Sequence, residues 1–143
     1  MNARISLIIM IALLASTLAC SDEDIPNSSG PAQRVRGRIA VSNNSAVAIE
    51  LTEYHHIRGD IDIMIALGVH LFPDNAIQLH NMIDDGGSLF FKGGDVVKVH
   101  FQALVGDPDA PGEPLFQNTV DLIVNGSVVI QVKDGGDFGI SPE

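Results

Sequence analysis

The chain has 143 residues, a formal net charge of −10 and a single cysteine. So acidic a balance excludes nucleic acid and anionic lipid as partners of the protein's own surface, and one cysteine excludes an intramolecular disulfide. The length admits one folded domain and no more.

In chain order, Met1 to Cys20 comes first. Arg4 and the terminal amine make a positive start, Ile5 to Ala15 run apolar except for Ser6, and Ser16, Thr17 and Ala19 are small residues ahead of Cys20. This is the layout of a secretory signal peptide over residues 1–19. It is also short of the roughly 18 to 20 apolar residues a membrane-spanning helix needs. An ordinary signal peptidase would leave Cys20 as a free thiol. Removing Arg4 with the leader leaves seven basic residues against eighteen acidic ones, a net charge of −11 over about 124 residues. A domain of that size buries roughly 65% of its unfolded surface and folds without covalent staples.

Thr17-Leu18-Ala19-Cys20 resembles the lipobox of bacterial lipoproteins. The resemblance implies that Cys20 is acylated, that cleavage falls just before it, and that the lipid holds the mature chain on a membrane. Ser21-Asp22-Glu23-Asp24 resembles the acidic tract that directs some lipoproteins of the Bacteroidetes group to the cell surface, and Ser21 resembles an outer-membrane sorting signal. The expected location is therefore the outer membrane, facing outward, with a periplasmic face as the alternative. The plain reading of the same tract is a solvated tether.

Residues 20–33 carry Pro26, Asn27, Ser28, Ser29, Gly30 and Pro31 with almost nothing to bury, which predicts a flexible tether. The stretch Ser21 to Gln33 would span about 20 Å as a coil. From Arg34 the pattern changes to period two. Val35, Gly37, Ile39 and Val41 alternate with Arg34, Arg36 and Arg38, and after Asn43-Asn44-Ser45 come Val47, Ile49 and Leu51. This predicts a hairpin with the arginines facing Glu50 and Glu53. Arg58-Gly59-Asp60 is the next turn. Ile61 to Leu71 is the most hydrophobic alternating run, expected at the centre of a sheet, and Phe72-Pro73-Asp74-Asn75 ends it.

Ile77 to Ile83 predicts a fourth strand, stopped at Asp84-Asp85-Gly86-Gly87, and Leu89 to Lys92 a short one. Gly93-Gly94-Asp95 turns into a strand from Val97 to Val105, and Gly106 to Pro114 reads as a loop. Phe116 to Val124, Asn125-Gly126 and Val128 to Val132 predict a second hairpin, because Asn-Gly suits a turn with positive φ at both positions. No helical period appears. About eight short strands over residues 34–143 predict an all-β fold, a single β-sandwich of immunoglobulin-like or transthyretin-like type.

Catalytic motifs are missing: no Gly-x-Ser-x-Gly elbow, phosphate-binding glycine loop or His-Glu-x-x-His occurs. Nothing in the sequence calls for a cofactor, and the chain is not expected to be an enzyme, with an unrecognised hydrolase as the alternative. His55 and His56 must point to opposite faces of a strand. His80 and His100 fall on the polar faces of their strands and His70 on the less apolar face of its own, so the five histidines read as solvent-facing. A zinc site would need two of them to meet Asp62 or Asp84. Asp107, Asp109 and Glu113 are candidates for a low-affinity calcium site, although Asp and Gly there also suit a plain turn. Arg58-Gly59-Asp60 matches the integrin-binding tripeptide, and a common turn equally well. Asn27, Asn43 and Asn125 open Asn-x-Ser sequons, which also read as turns. The expected protein is a lipid-anchored binding or adhesion module for an extracellular glycan or protein ligand. The alternative is an accessory subunit of an envelope complex.

Overall fold

Val96 to Ala103 illustrates how this sequence makes strands: Val97, Val99, Phe101 and Ala103 are buried, while Lys98, His100 and Gln102 face outward. Successive side chains of a strand point to opposite faces, so alternation suffices to give one dry face. The structure, a computed structural model, describes residues 35–84 and 87–143. The expected leader, Cys20, the tether, Arg34 and the Asp85-Gly86 turn lie outside the described residues.

The strands are β1 (Arg36–Gly37), β2 (Ile39–Asn43), β3 (Ile49–Arg58), β4 (Ile61–Leu71), β5 (Ala76–Gln78), β6 (Phe91–Lys92), β7 (Val96–Ala103), β8 (Gly106–Asp107), β9 (Ala110–Pro114), β10 (Gln117–Ile123), β11 (Val128–Val132) and β12 (Phe138–Pro142). One sheet runs β10-β7-β3-β4, antiparallel throughout. The other runs β12-β11-β2-β5, with β2 and β11 parallel between antiparallel neighbours. Ribbons β1-β6 and β8-β9 complete the fold. Ile39, Val41, Ile130 and Val132 of the second sheet share one buried cluster with Leu51, Tyr54 and Val99 of the first. Each such side chain contributes roughly 1.5–3 kcal/mol by leaving water, so the two sheets are held as a sandwich by the layer between them. The fold is all-β, as the alternation predicts.

Several expectations about connectivity change. Neither predicted hairpin forms. β2 and β3 belong to different sheets, and so do β10 and β11, so Asn43-Asn44-Ser45 and Asn125-Gly126 are arches between sheets. The first arch is held by Asn43, which is buried. Its side-chain amide donates to the carbonyls of Val47 and Leu71, both at 2.8 Å, and its oxygen accepts from the Ser45 amide and hydroxyl. With β3 taken away, Arg36 and Arg38 do not face Glu50 and Glu53, and Arg34 lies outside the described residues. Arg38 pairs with Glu143 at 3.1 Å instead, and Arg36 lies opposite Lys92. The second arch uses the positive φ of Gly126 (131°).

β4 has the predicted ends but lies at an edge, not at the centre. Its outward residues Asp62, Met64, Ala66 and His70 leave it only one face to bury, and Ile65, Leu67 and Val69 on that face stay partly exposed. The Gly106 to Pro114 stretch is a small hairpin instead of a loop, and β12 is an additional strand paired with β11. The predicted fourth strand shortens to β5, with Leu79 buried and Asn81 bridging to Ser88. These pieces raise the count from about eight strands to twelve among the described residues.

Where β1 passes the second arch, the backbones of Gly37 and Gly126 approach so closely that a Cβ on Gly37 would overlap the Gly126 carbonyl. Gly37→Ala should therefore cost at least about 2 kcal/mol, as overpacking against immovable backbone does. Gly87→Ala, with open space around its Cβ position, should change stability by under about 0.5 kcal/mol. Urea unfolding of both variants against wild type measures the contrast.

Candidate functional site

The site begins with an irregularity in β3. Across β7, Leu51 faces Phe101 and Glu53 faces His100, so β3 spends one extra residue, Thr52. Across β4 the partners are Val69 and Ala66, and Gly68 between them takes φ +59°. A β-bulge of this kind re-aims the side chains beyond it. Ile49 and Leu51 point into the sandwich, and after the bulge the inward set becomes Tyr54, His56 and Arg58. Glu53 and His55 turn outward.

On the outer face, β3 and β7 bring three metal-ligating side chains together. Glu53 Oε1 lies 3.6 Å from His55 Nε2 and 3.9 Å from His100 Nε2. The two rings stand 5.7 Å apart. Both Nδ1 atoms are already engaged: His55 Nδ1 lies 2.9 Å from Asp62 Oδ1 on β4, and His100 Nδ1 lies 2.9 Å from the Thr119 hydroxyl on β10. Among the described residues, this is the one trio of His, Cys, Asp or Glu whose ligand atoms lie mutually within 4.8 Å. Alongside it runs an open groove of about 560 Å³, lined by Glu53, His100, Thr52, Gln102, Gln117, Asn118 and Thr119.

On the inner side of the same strand, a second polar assembly closes one end of the sandwich. His56 is wholly buried, edge-on to Phe91 at 4.9 Å. The Met82 amide donates to its Nδ1 at 3.4 Å, so Nε2 carries the proton and donates to Asp95 Oδ2 at 2.7 Å. Arg58 Nε donates to Asp95 Oδ1 at 2.6 Å and Nη2 to Oδ2 at 2.7 Å, while the Lys92 amide adds a donor at 3.1 Å. The same guanidinium grips Asp84 at 2.9 and 3.0 Å, and Asn81 and Lys92 also donate to Asp84. Burial pushes the Asp95 carboxyl up, but the donors from Arg58, His56 and Lys92 outweigh it and hold it below the usual carboxylate range. The Arg58 fork, with Asn81 and Lys92, holds Asp84 well below that range, and the two carboxylates hold Arg58 above its usual value. Burial pushes the Tyr54 phenol up, and its hydroxyl donates to the His80 carbonyl at 2.6 Å. Among the described residues, no buried side-chain polar atom lacks a partner.

These contacts decide the fate of each sequence-level candidate. His55 and His56 do face opposite ways, but His56 is not solvent-facing: the bulge carries it into the core. His55 and His100 meet, with Asp62 behind His55 and Glu53 as the third member. Asp84 is committed to Arg58 and reaches no histidine. His70 comes no nearer than 3.9 Å to Glu50, and the exposed His80 serves through its backbone. Asp107, Asp109 and Glu113 do not converge. Asp107 Oδ1 instead accepts the Asp109 amide at 2.8 Å, which is turn chemistry. The tripeptide at Arg58 does form a turn, with Gly59 at φ +57°, but its arginine is consumed internally. Cys20 lies outside the described residues.

No protein-family model, curated protein or solved structure matches the chain, so the geometry alone carries the functional reading.

Removing one partner of a buried ion pair strands the other and costs roughly 3–5 kcal/mol. Arg58 is about a quarter exposed and keeps Asp84, so Asp95→Asn should fall at the low end, about 3 kcal/mol. Asp84 and Asp95 have lowered values in the fold. Their stabilisation is therefore full above the unfolded carboxylate value of about 3.9 and is lost as pH falls below it toward the folded values. Urea midpoints of wild type and Asp95→Asn should accordingly differ most at pH 6 and converge toward pH 2.

Proposed function

We propose that this chain is a lipid-anchored binding module of the bacterial cell envelope with no catalysis of its own. In this reading Cys20 holds it to the outer membrane, and the outer face of the β10-β7-β3-β4 sheet meets the ligand. The groove on that face carries the proposal. Gln102 and Gln117 bring amides, and Thr52 and Thr119 bring hydroxyls. Such groups both donate and accept hydrogen bonds, which suits the hydroxyl-rich surface of a glycan better than an apolar protein patch. The acidic surface and the tether are consistent with a soluble domain standing off a headgroup layer.

One observation favours a second reading, an accessory subunit of an envelope complex. Among the described residues, β4, eleven residues long, pairs along one side only and carries exposed Ile61 and Met64. A long edge of this kind is what a partner strand adds to.

Protease shaving of intact cells tests the anchoring. External protease should remove the domain, and Cys20→Ala should release it from the membrane fraction. Protection until lysis would turn the domain toward the periplasm. For the binding face, retention on immobilised envelope glycans should fall at least tenfold in Gln102→Ala/Gln117→Ala. Undiminished retention, with a stoichiometric partner that Met64→Lys dislodges, would favour the edge-strand reading.

A further inference from the structure

We propose that Glu53, His55 and His100 form a binding site for a divalent late first-row transition ion, zinc being the type case. The argument starts with the protons. Asp62 as a carboxylate only accepts, so the 2.9 Å contact places a proton on His55 Nδ1 and leaves the Nε2 lone pair of the neutral ring facing Glu53. A lone pair and a carboxylate oxygen 3.6 Å apart are brought together by a proton or by a metal ion between them, and 3.6 Å is long for a hydrogen bond. His100 presents Nε2 to the same oxygen at 3.9 Å, and its Nδ1 lies against the Thr119 hydroxyl, which accepts the ring proton in the tautomer that leaves Nε2 free for an ion. Three donors thus converge on one point.

The donor chemistry fits the ion. Two imidazoles and one carboxylate are a recurrent set for zinc and its neighbours, with one or more positions left open. Metal-bound histidines nearly always give their other nitrogen to a carboxylate, carbonyl or water, which fixes the ring, and Asp62 occupies that position for His55. Ligand bonds of about 2.0–2.2 Å require donor atoms near 3.3 Å apart, so the 3.6 and 3.9 Å separations close by rotation of side chains that are 24 to 35% exposed. Charge agrees as well. Glu53 and Asp62 balance a dication, and the nearby Lys98, opposite His55, is drawn to Asp121 at 3.6 Å.

Placement on a sheet explains why the site is ready-made. Glu53 and His55 are two apart on β3, hence on one face, and His100 is the direct neighbour of Glu53 on β7. Glu53 and His100 also border the groove, so an oxygen of a groove-bound ligand can complete the ion's shell. That last step rests on the groove being the ligand face; the ion site itself does not.

The test is calorimetric titration of zinc chloride into the full chain carrying Cys20→Ala, which removes the competing thiol. One ion per chain with micromolar or tighter affinity is expected, together with a zinc-dependent rise in melting temperature. His55→Ala and His100→Ala should each weaken binding by more than tenfold. Asp62→Asn should weaken it about 10–100-fold, as loss of an outer partner does, and His80→Ala should leave it unchanged. Melting temperatures without zinc establish that each variant folds. Cobalt in place of zinc should give visible absorption of a low-coordinate nitrogen–oxygen site, lost in His55→Ala/His100→Ala. Equal zinc binding by that folded double variant, or none by the parent, would overturn the proposal whatever ligand the groove takes.

Discussion

One extra residue, Thr52, sets the chemistry of both faces of β3. Had the alternation run straight on from Ile49 and Leu51, Glu53 and His55 would have entered the core. Tyr54, His56 and Arg58 would have faced water. Burying a carboxylate without partners costs so much that such a group neutralises or the segment rearranges. The bulge avoids this by exchanging parity at the point where the sequence changes from aliphatic to ionisable. Its counterpart is Gly68 on β4, whose φ of +59° is a conformation that side chains rarely adopt without strain. Pairing on either side resumes in register, so the irregularity stays local.

The interior assembly that results is stabilising through completeness. A buried ion pair taken alone barely offsets its own desolvation. Here Asp95 has four donors, Arg58 grips two carboxylates, and the remaining nitrogen of His56 takes a backbone amide. Because the donors come from β3, the Asn81 to Asp84 segment and the turn before β7, the network ties together three stretches at one end of the core. That specificity of connection is what a polar cluster adds to a layer of valines and isoleucines, which would pack in several registers with similar energy.

What could be read from the sequence follows the same division. Period two announces a dry face, and it located β4 to the residue, β7 closely, and the hairpin turn at Gly59-Asp60. It does not say which of two sheets a strand joins. Asn43 and Gly126 sit where a hairpin would want them, yet a buried amide with four partners and a glycine at φ +131° serve an arch between sheets equally well. For the same reason β12 and the inward turn of Asp95 escaped notice, since Asp and Gly look alike whether a turn is solvated or plugged by arginine. At the site, the opposite facing of His55 and His56 was legible from strand geometry. Glu53 was not, because its outward position depends on a bulge that no local motif announces.

The two histidine–carboxylate arrangements on β3 lie back to back and differ in one respect. His56 and Asp95 are closed: each side-chain nitrogen and oxygen has a partner, and the ring is wholly buried. His55, His100 and Glu53 are open, because the partners of the histidines lie at Nδ1, behind the rings, and both Nε2 atoms face one carboxylate oxygen from 3.6 and 3.9 Å, beyond good hydrogen-bonding distance. Networks that serve only the fold tend toward closure, since each unmet group costs about 1–3 kcal/mol. On a half-exposed face water lowers that cost, so the trio can stay open where the interior pair cannot. In an acidic chain, where cations are already concentrated, an open set of donors with partnered rings is the arrangement a cation can enter with little rearrangement.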